Sequence, residues 1–286
     1  MVTIVPPLDI RSLPYSQRQL IIIQPDQVVE AAREAEANAS SGSETTDWME
    51  IAAQVGKAAL IYPSLYGIVI EHAVEALKAW AKARESGLDV LQIGQSEAVV
   101  LQFPPGHYRQ QTLYVAHPAI PDVYYTTAAF HRMTFEHKFS EAIQLLMSLG
   151  ASHIAVEHVH GWSRDFSAKM SAPLPEAEAN LSASTFASNS SRLLFEAAFD
   201  NKAAPTLPTN LVWYPHEPTW QTVAKGRLQF GMQHFSLTVN YEDDFGVNAG
   251  LKLRSQKAGF ELGGAFEDHM RTAWKIHGKF AGNESG

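Results

Sequence analysis

The stretch that decides the fold runs from His234 to Phe280. It opens His234-Phe235-Ser236-Leu237-Thr238-Val239-Asn240-Tyr241, in which every second residue is apolar. The alternation resumes at Phe245, Val247, Ala249, Leu251 and Leu253, set against Gly246, Asn248, Gly250, Lys252 and Arg254. It returns at Phe260, Leu262, Gly264 and Phe266, and again at Trp274, Ile276, Gly278 and Phe280. Side chains on a β-strand project alternately to opposite faces, so a period of two means strands with one apolar face. The spacing predicts an antiparallel meander of four strands. Its turns fall near Glu242–Asp244, Ser255–Gly259 and Glu267–Arg271.

Working outward, 193–199 has the same alternation, and Ser152–Met170 reads as extended with a turn near Gly161. Phe135, Phe139, Ile143, Leu146 and Met147 recur at helical spacing, which predicts a helix over 131–148 closed by Gly150. A second helix is expected from Pro218 to about Gln233, with proline in its first turn. Before residue 130 the pattern is mixed. Arg18–Gln24 reads as a strand, and Asp26 and Asp47 open helices. A further helix should end at Gly87, and Leu88–Ile93, Glu97–Phe103 and Thr112–Ala116 are strand candidates. The expected class is α+β, with a helix-rich half over 1–130 and antiparallel sheet over 131–286, in two regions or one continuous domain. Asn38–Thr46 and Ser171–Ser191 are polar segments read as loops.

Composition narrows the function. The 286 residues carry a net charge of -8 and no cysteine. An acidic chain without a Lys/Arg run is not built to neutralise phosphates, so no nucleic-acid partner is expected. Absence of thiols removes disulfides, thiolate metal sites and cysteine nucleophiles. The first residues, Met1 to Ser16, show no basic region followed by an apolar one, and the chain reads as cytoplasmic. The apolar run Ala58–Ile70 falls short of the roughly 20 residues a membrane-spanning helix needs.

Chemistry-bearing motifs are few. His158 and His160 flank Val159 in an extended segment, so both rings should share a face and could chelate a divalent metal. A third ligand would have to come from elsewhere, such as His117, Glu136 or Asp165. The bland alternative is a pair of hydrogen-bonded surface histidines. No Gly-x-Ser-x-Gly elbow is present, and the glycines at 259, 263 and 264 lie in or beside expected strands, so no phosphate loop forms. The run Trp213-Tyr214-Pro215-His216-Glu217-Pro218 with Trp220 reads either as a partner surface or as a rigid corner at a helix start.

The leading reading from sequence is therefore a non-enzymatic, self-assembling protein. The meander suggests a stronger form of it, in which a trigger lets amphipathic β-hairpins enter a membrane and form a pore. Expected strand lengths approach the 9 to 11 residues of a membrane-spanning β-strand. Four strands cannot close a barrel, whose smallest forms have about 8, so several copies would have to contribute. The residues that would meet lipid or a neighbouring copy are Phe235, Leu237, Val239, Tyr241, Val247, Leu251, Phe260, Leu262, Trp274 and Ile276. A metal-dependent hydrolase built on His158 and His160 is one alternative. An interaction module using Trp213, Tyr214 and Trp220 is the other.

Overall fold

The computed structural model describes residues 9–39, 78–162, 193–200 and 204–282. The helix expected at Asp47, the apolar run at 58–70 and the loop at 171–191 lie outside them. The chain divides into two units. The first combines Met1–Arg132 with Phe245–Asp268, and the second combines Met133–Asp244 with His269–Gly286. The class is α+β, with a mixed sheet in the N-terminal half and an antiparallel sheet in the C-terminal half.

In the first unit a short helix α1 (Tyr15–Arg18) leads into β1 (Leu20–Gln24), then helix α2 (Asp26–Ala39). Helix α3 (78–85) leads to β2 (Leu91–Gly94), the single turn α4 (Gln95–Ala98), β3 (Tyr114–Ala116) and β4 (Tyr124–Thr126). The strand order is β2-β1-β3-β4, with β1 and β2 parallel and the other pairs antiparallel. Every residue of β1 is buried, so this sheet is covered on both faces. One face carries Ile21, Ile23, Ile93, Tyr114 and Tyr124, packed with Ile10 and Phe103. Helix α3 ends as expected at Gly87, whose φ of 76° suits a residue without a Cβ. Its amide donates to Arg84 O and that of Leu88 to Ala83 O, the paired bonds of a Schellman cap.

Glu97–Phe103 is not a strand. Glu97 sits at the third position of α4, where its carboxylate accepts from Gly94 N at 2.9 Å and pairs with Arg33 at 2.9 Å. Asp26, expected to cap its own helix, instead accepts from the backbone and hydroxyl of Ser96 at 3.0 and 2.9 Å. It approaches Gly94 so closely that a Cβ there would overlap the carboxylate.

The second unit holds β5 (Ala151–His160), β6 (Leu193–Ala198), β7 (His234–Tyr241) and β8 (Thr272–Phe280), in the order β6-β5-β8-β7 and wholly antiparallel. Helix α5 (Phe130–Ser148) crosses from the first unit into the second at residue 132, and α6 (Pro218–Phe230) precedes β7. Strand β7 alternates exposed and buried residues along its whole length, with Phe235, Leu237, Val239 and Tyr241 inward. The Trp274 ring on β8 receives Phe135 and Phe139 of α5 edge-on at 4.9 and 5.1 Å.

The four-strand meander over 234–280 is corrected. Its first and last segments are β7 and β8, which pair directly in register from His234↔Lys279 to Tyr241↔Thr272. The two middle segments belong to the first unit and are not strands. Ala249–Ala258 is helix α7, and Phe260–Phe266 is a loop with one parallel bridge, Thr112↔Glu261. Two caps make the helix. The Asn248 side chain accepts from the amides of Gly250 and Leu251. At the other end Gly259, at φ 96°, donates to Gln256 O while Phe260 N bonds to Ser255 O. Leu251, Ser255 and Ala258 face the interior at helical spacing. Leu253, paired with Leu251 by the two-residue alternation, is 53% exposed.

Candidate functional site

Helix α5 carries two charged residues on its buried side, Lys138 and Glu141. Glu141 accepts from three successive backbone amides, Val212 at 2.7 Å and Trp213 and Tyr214 at 2.8 Å each. A buried carboxylate held by several N–H groups replaces the water it has lost. The Trp213 indole then donates to His137 Nδ1 at 2.9 Å. Burial pushes the His137 pKa below its ordinary value, and the nearby Glu141 charge offsets part of that. Lys138 forms an ion pair with Glu217, sits 5.3 Å from the Trp213 ring centre and donates to Asn240 O at 2.8 Å.

Of the aromatic corner, Trp220 is 0% exposed and Trp213 is buried, while Tyr214 is half-buried. The two tryptophans are taken up inside the unit and offer a partner almost no surface. The signal for this arrangement lay in α5. Lys138 and Glu141 fall on the same helical stripe as Ala142, Leu145 and Leu149.

All ten residues expected to meet lipid or a neighbouring copy are buried. Phe235, Leu237, Val239, Tyr241, Trp274 and Ile276 line the interior of the second unit. Val247, Leu251, Phe260 and Leu262 do the same in the first. Strands β7 and β8 are separated by a segment that folds elsewhere, so they do not form a hairpin.

His158 and His160 lie at the end of β5, where the register with β8 shifts between them. The His158 ring bonds Gly161 O at 3.0 Å and that of His160 bonds Arg271 O at 3.1 Å. Among the described residues no group of three or more His, Asp or Glu side chains could hold a metal ion. No described helix is long and apolar enough to cross a membrane. An open apolar hollow of about 590 Å³ lies along 98–108 in the first unit, lined by Val99, Leu101, Phe103, Pro104, Pro105 and Tyr108.

The outer edge of β7, which no described strand pairs, is a feature that sequence reasoning missed. In an antiparallel pair, residues alternately direct both backbone groups toward the neighbour and away from it. Phe280 N donates to Gln233 O, so the odd-numbered residues of β7 face β8. His234, Ser236, Thr238 and Asn240 direct their N–H and C=O groups outward. Asn240 O is taken by Lys138. Among the described residues nothing bonds the outward groups of His234, Ser236 or Thr238. The strand contains no charge, no proline and no glycine, the usual guards of an exposed edge.

No family model, no curated protein and no solved structure matches this chain.

Proposed function

We propose that the protein works without chemistry of its own, by adding an extended strand to the edge of β7. The observation that supports this is the run of outward backbone groups from His234 to Thr238, unguarded and next to side chains that are polar and exposed or half-exposed. Each backbone pair added there gives a net gain of about 0.5–1.5 kcal/mol per hydrogen bond, and an uncharged strand is the natural complement. This reading makes the protein an assembly or recognition module.

A fluorescent peptide copying residues 232–242 serves as probe of the edge. It should bind the wild-type chain and fail to bind a Ser236→Pro variant. Proline at 236 removes one outward N–H and leaves the β7–β8 ladder intact, because Ser236 makes no ladder bond. Equal binding to both chains, or none to either, would overturn the proposal. Membrane insertion is the further form of the same reading. Strands of eight and nine residues approach spanning length, and a trigger must first release their apolar face from α5. Dye escape from loaded liposomes, present after such a trigger and absent before it, is the measurement for that step.

A further inference from the structure

We infer that the strand added at the edge is β7 of a second copy, related to the first by a two-fold axis through Ser236. This rests on the strand-addition reading above and specifies its partner. Identical strands that meet across a two-fold axis run antiparallel, and every contact occurs twice. Only outward-facing residues can pair, which limits the axis to a few positions. An axis at Leu237 would oppose Ser236 to Thr238 and His234 to Asn240. The second pair is spoiled, because Lys138 Nζ already holds the Asn240 carbonyl at 2.8 Å. An axis at Ser236 opposes Ser236 to itself and His234 to Thr238, using only groups that have no partner among the described residues.

Charge selects the same arrangement. The chain carries a net charge of -8, so two copies repel unless their joint is neutral. Strand β7 is uncharged, but Glu242, Asp243 and Asp244 follow it at once. A parallel pairing would stack these acids. With the axis at Ser236, the two acidic runs lie on opposite sides of it, about 12 residues apart, roughly 40 Å along the strand. The exposed face of the joint brings Ser236 beside Ser236 and His234 beside Thr238, polar pairs that suit a solvated sheet surface. The two four-stranded sheets become one of eight strands, and the assembly closes at two copies.

The absence of cysteine makes the register directly testable by single thiols. Opposed residues that exchange both backbone bonds have Cα atoms about 5.5 Å apart, within disulfide reach. A Ser236→Cys chain should form a covalent dimer under mild oxidation. A His234→Cys chain should not, because its two thiols sit four residues apart, roughly 13 Å. Combining His234→Cys with Thr238→Cys should restore the cross-link. These side chains lie on the solvated face, and circular dichroism identical to wild type confirms folding. Cross-linking of His234→Cys as fast as Ser236→Cys overturns the register. If no variant cross-links while the 232–242 peptide still binds and Ser236→Pro still abolishes that binding, the second copy is the wrong partner and strand addition stands. If the peptide does not bind either, both fall.

Discussion

The two sheets bury their strands in different ways. In the first, β1 has no exposed residue, and its strands are three to five residues long. In the second, β7 is buried on one face only, and the strands run from six to ten residues. A sheet covered on both faces gets its stability from apolar packing above and below each strand. A sheet with one wet face depends on what covers the other, and in this molecule α5, part of that cover, includes two charges. Long strands with one solvated face also leave a long edge, and β7 lies at one end of the described sheet.

The dependence on a charged cover gives the largest expected effect. Glu141→Ala should destabilise the second unit by about 4 kcal/mol, because three buried amides lose their acceptor at once. Denaturant unfolding followed by tryptophan fluorescence measures it, and a loss under 1 kcal/mol would show that water substitutes for the carboxylate. Next come the strands. Ile21→Ala and Ile22→Ala, on opposite faces of β1, should each cost about 3 kcal/mol. In β7 the same scan should alternate, with Leu237→Ala costing about 3 kcal/mol and Ser236→Ala within about 0.5 kcal/mol. Equal costs at 236 and 237 would end the contrast between the sheets. In helix α7, Leu251→Ala should cost about 2–3 kcal/mol and Leu253→Ala almost nothing, whereas a strand facing the core would lose both equally.

The smallest effect is on pH. His137 has a folded pKa below 6.5, so the unfolded chain takes up a proton first. Stability of the second unit should be constant above about pH 6.5, fall as the pH drops below it, and level off under the folded pKa. Protonation also removes the acceptor of the Trp213 indole, so that part of the fluorescence should shift with it. A His137→Gln variant should lose the pH-dependent step.

Much of this fold was legible in the residues. Strands β7 and β8, helices α5 and α6 and the Gly87 cap follow from period and punctuation. The misreading at 245–254 has a definite physical origin. Phe245, Val247, Ala249, Leu251 and Leu253 satisfy a period of two, but only the last three lie in the helix, too few to fix a period. Asn248 before the run and Gly259 after it are helix boundaries, and the Gly250, Leu251, Gly259 and Phe260 amides they organise settle the matter. Glu97 misled in the same way, since a cap residue carries no periodicity. The β7 edge was not legible because strand order is a long-range property. Nothing in His234–Tyr241 says that β8 lies on one side and no described strand on the other.

The excursion between β7 and β8 has a consequence for how the chain is made. During synthesis β7 leaves the ribosome well before its partner. The first unit must wait for residues 245–268 before its interior is filled, and the second must wait for 272–280 before β5 and β7 are joined through β8. Until then β7 lacks the strand it pairs with, in a nascent chain emerging at about 5–20 residues per second. The interval lasts a few seconds. In that time this uncharged strand is open to pairing with a neighbouring nascent chain.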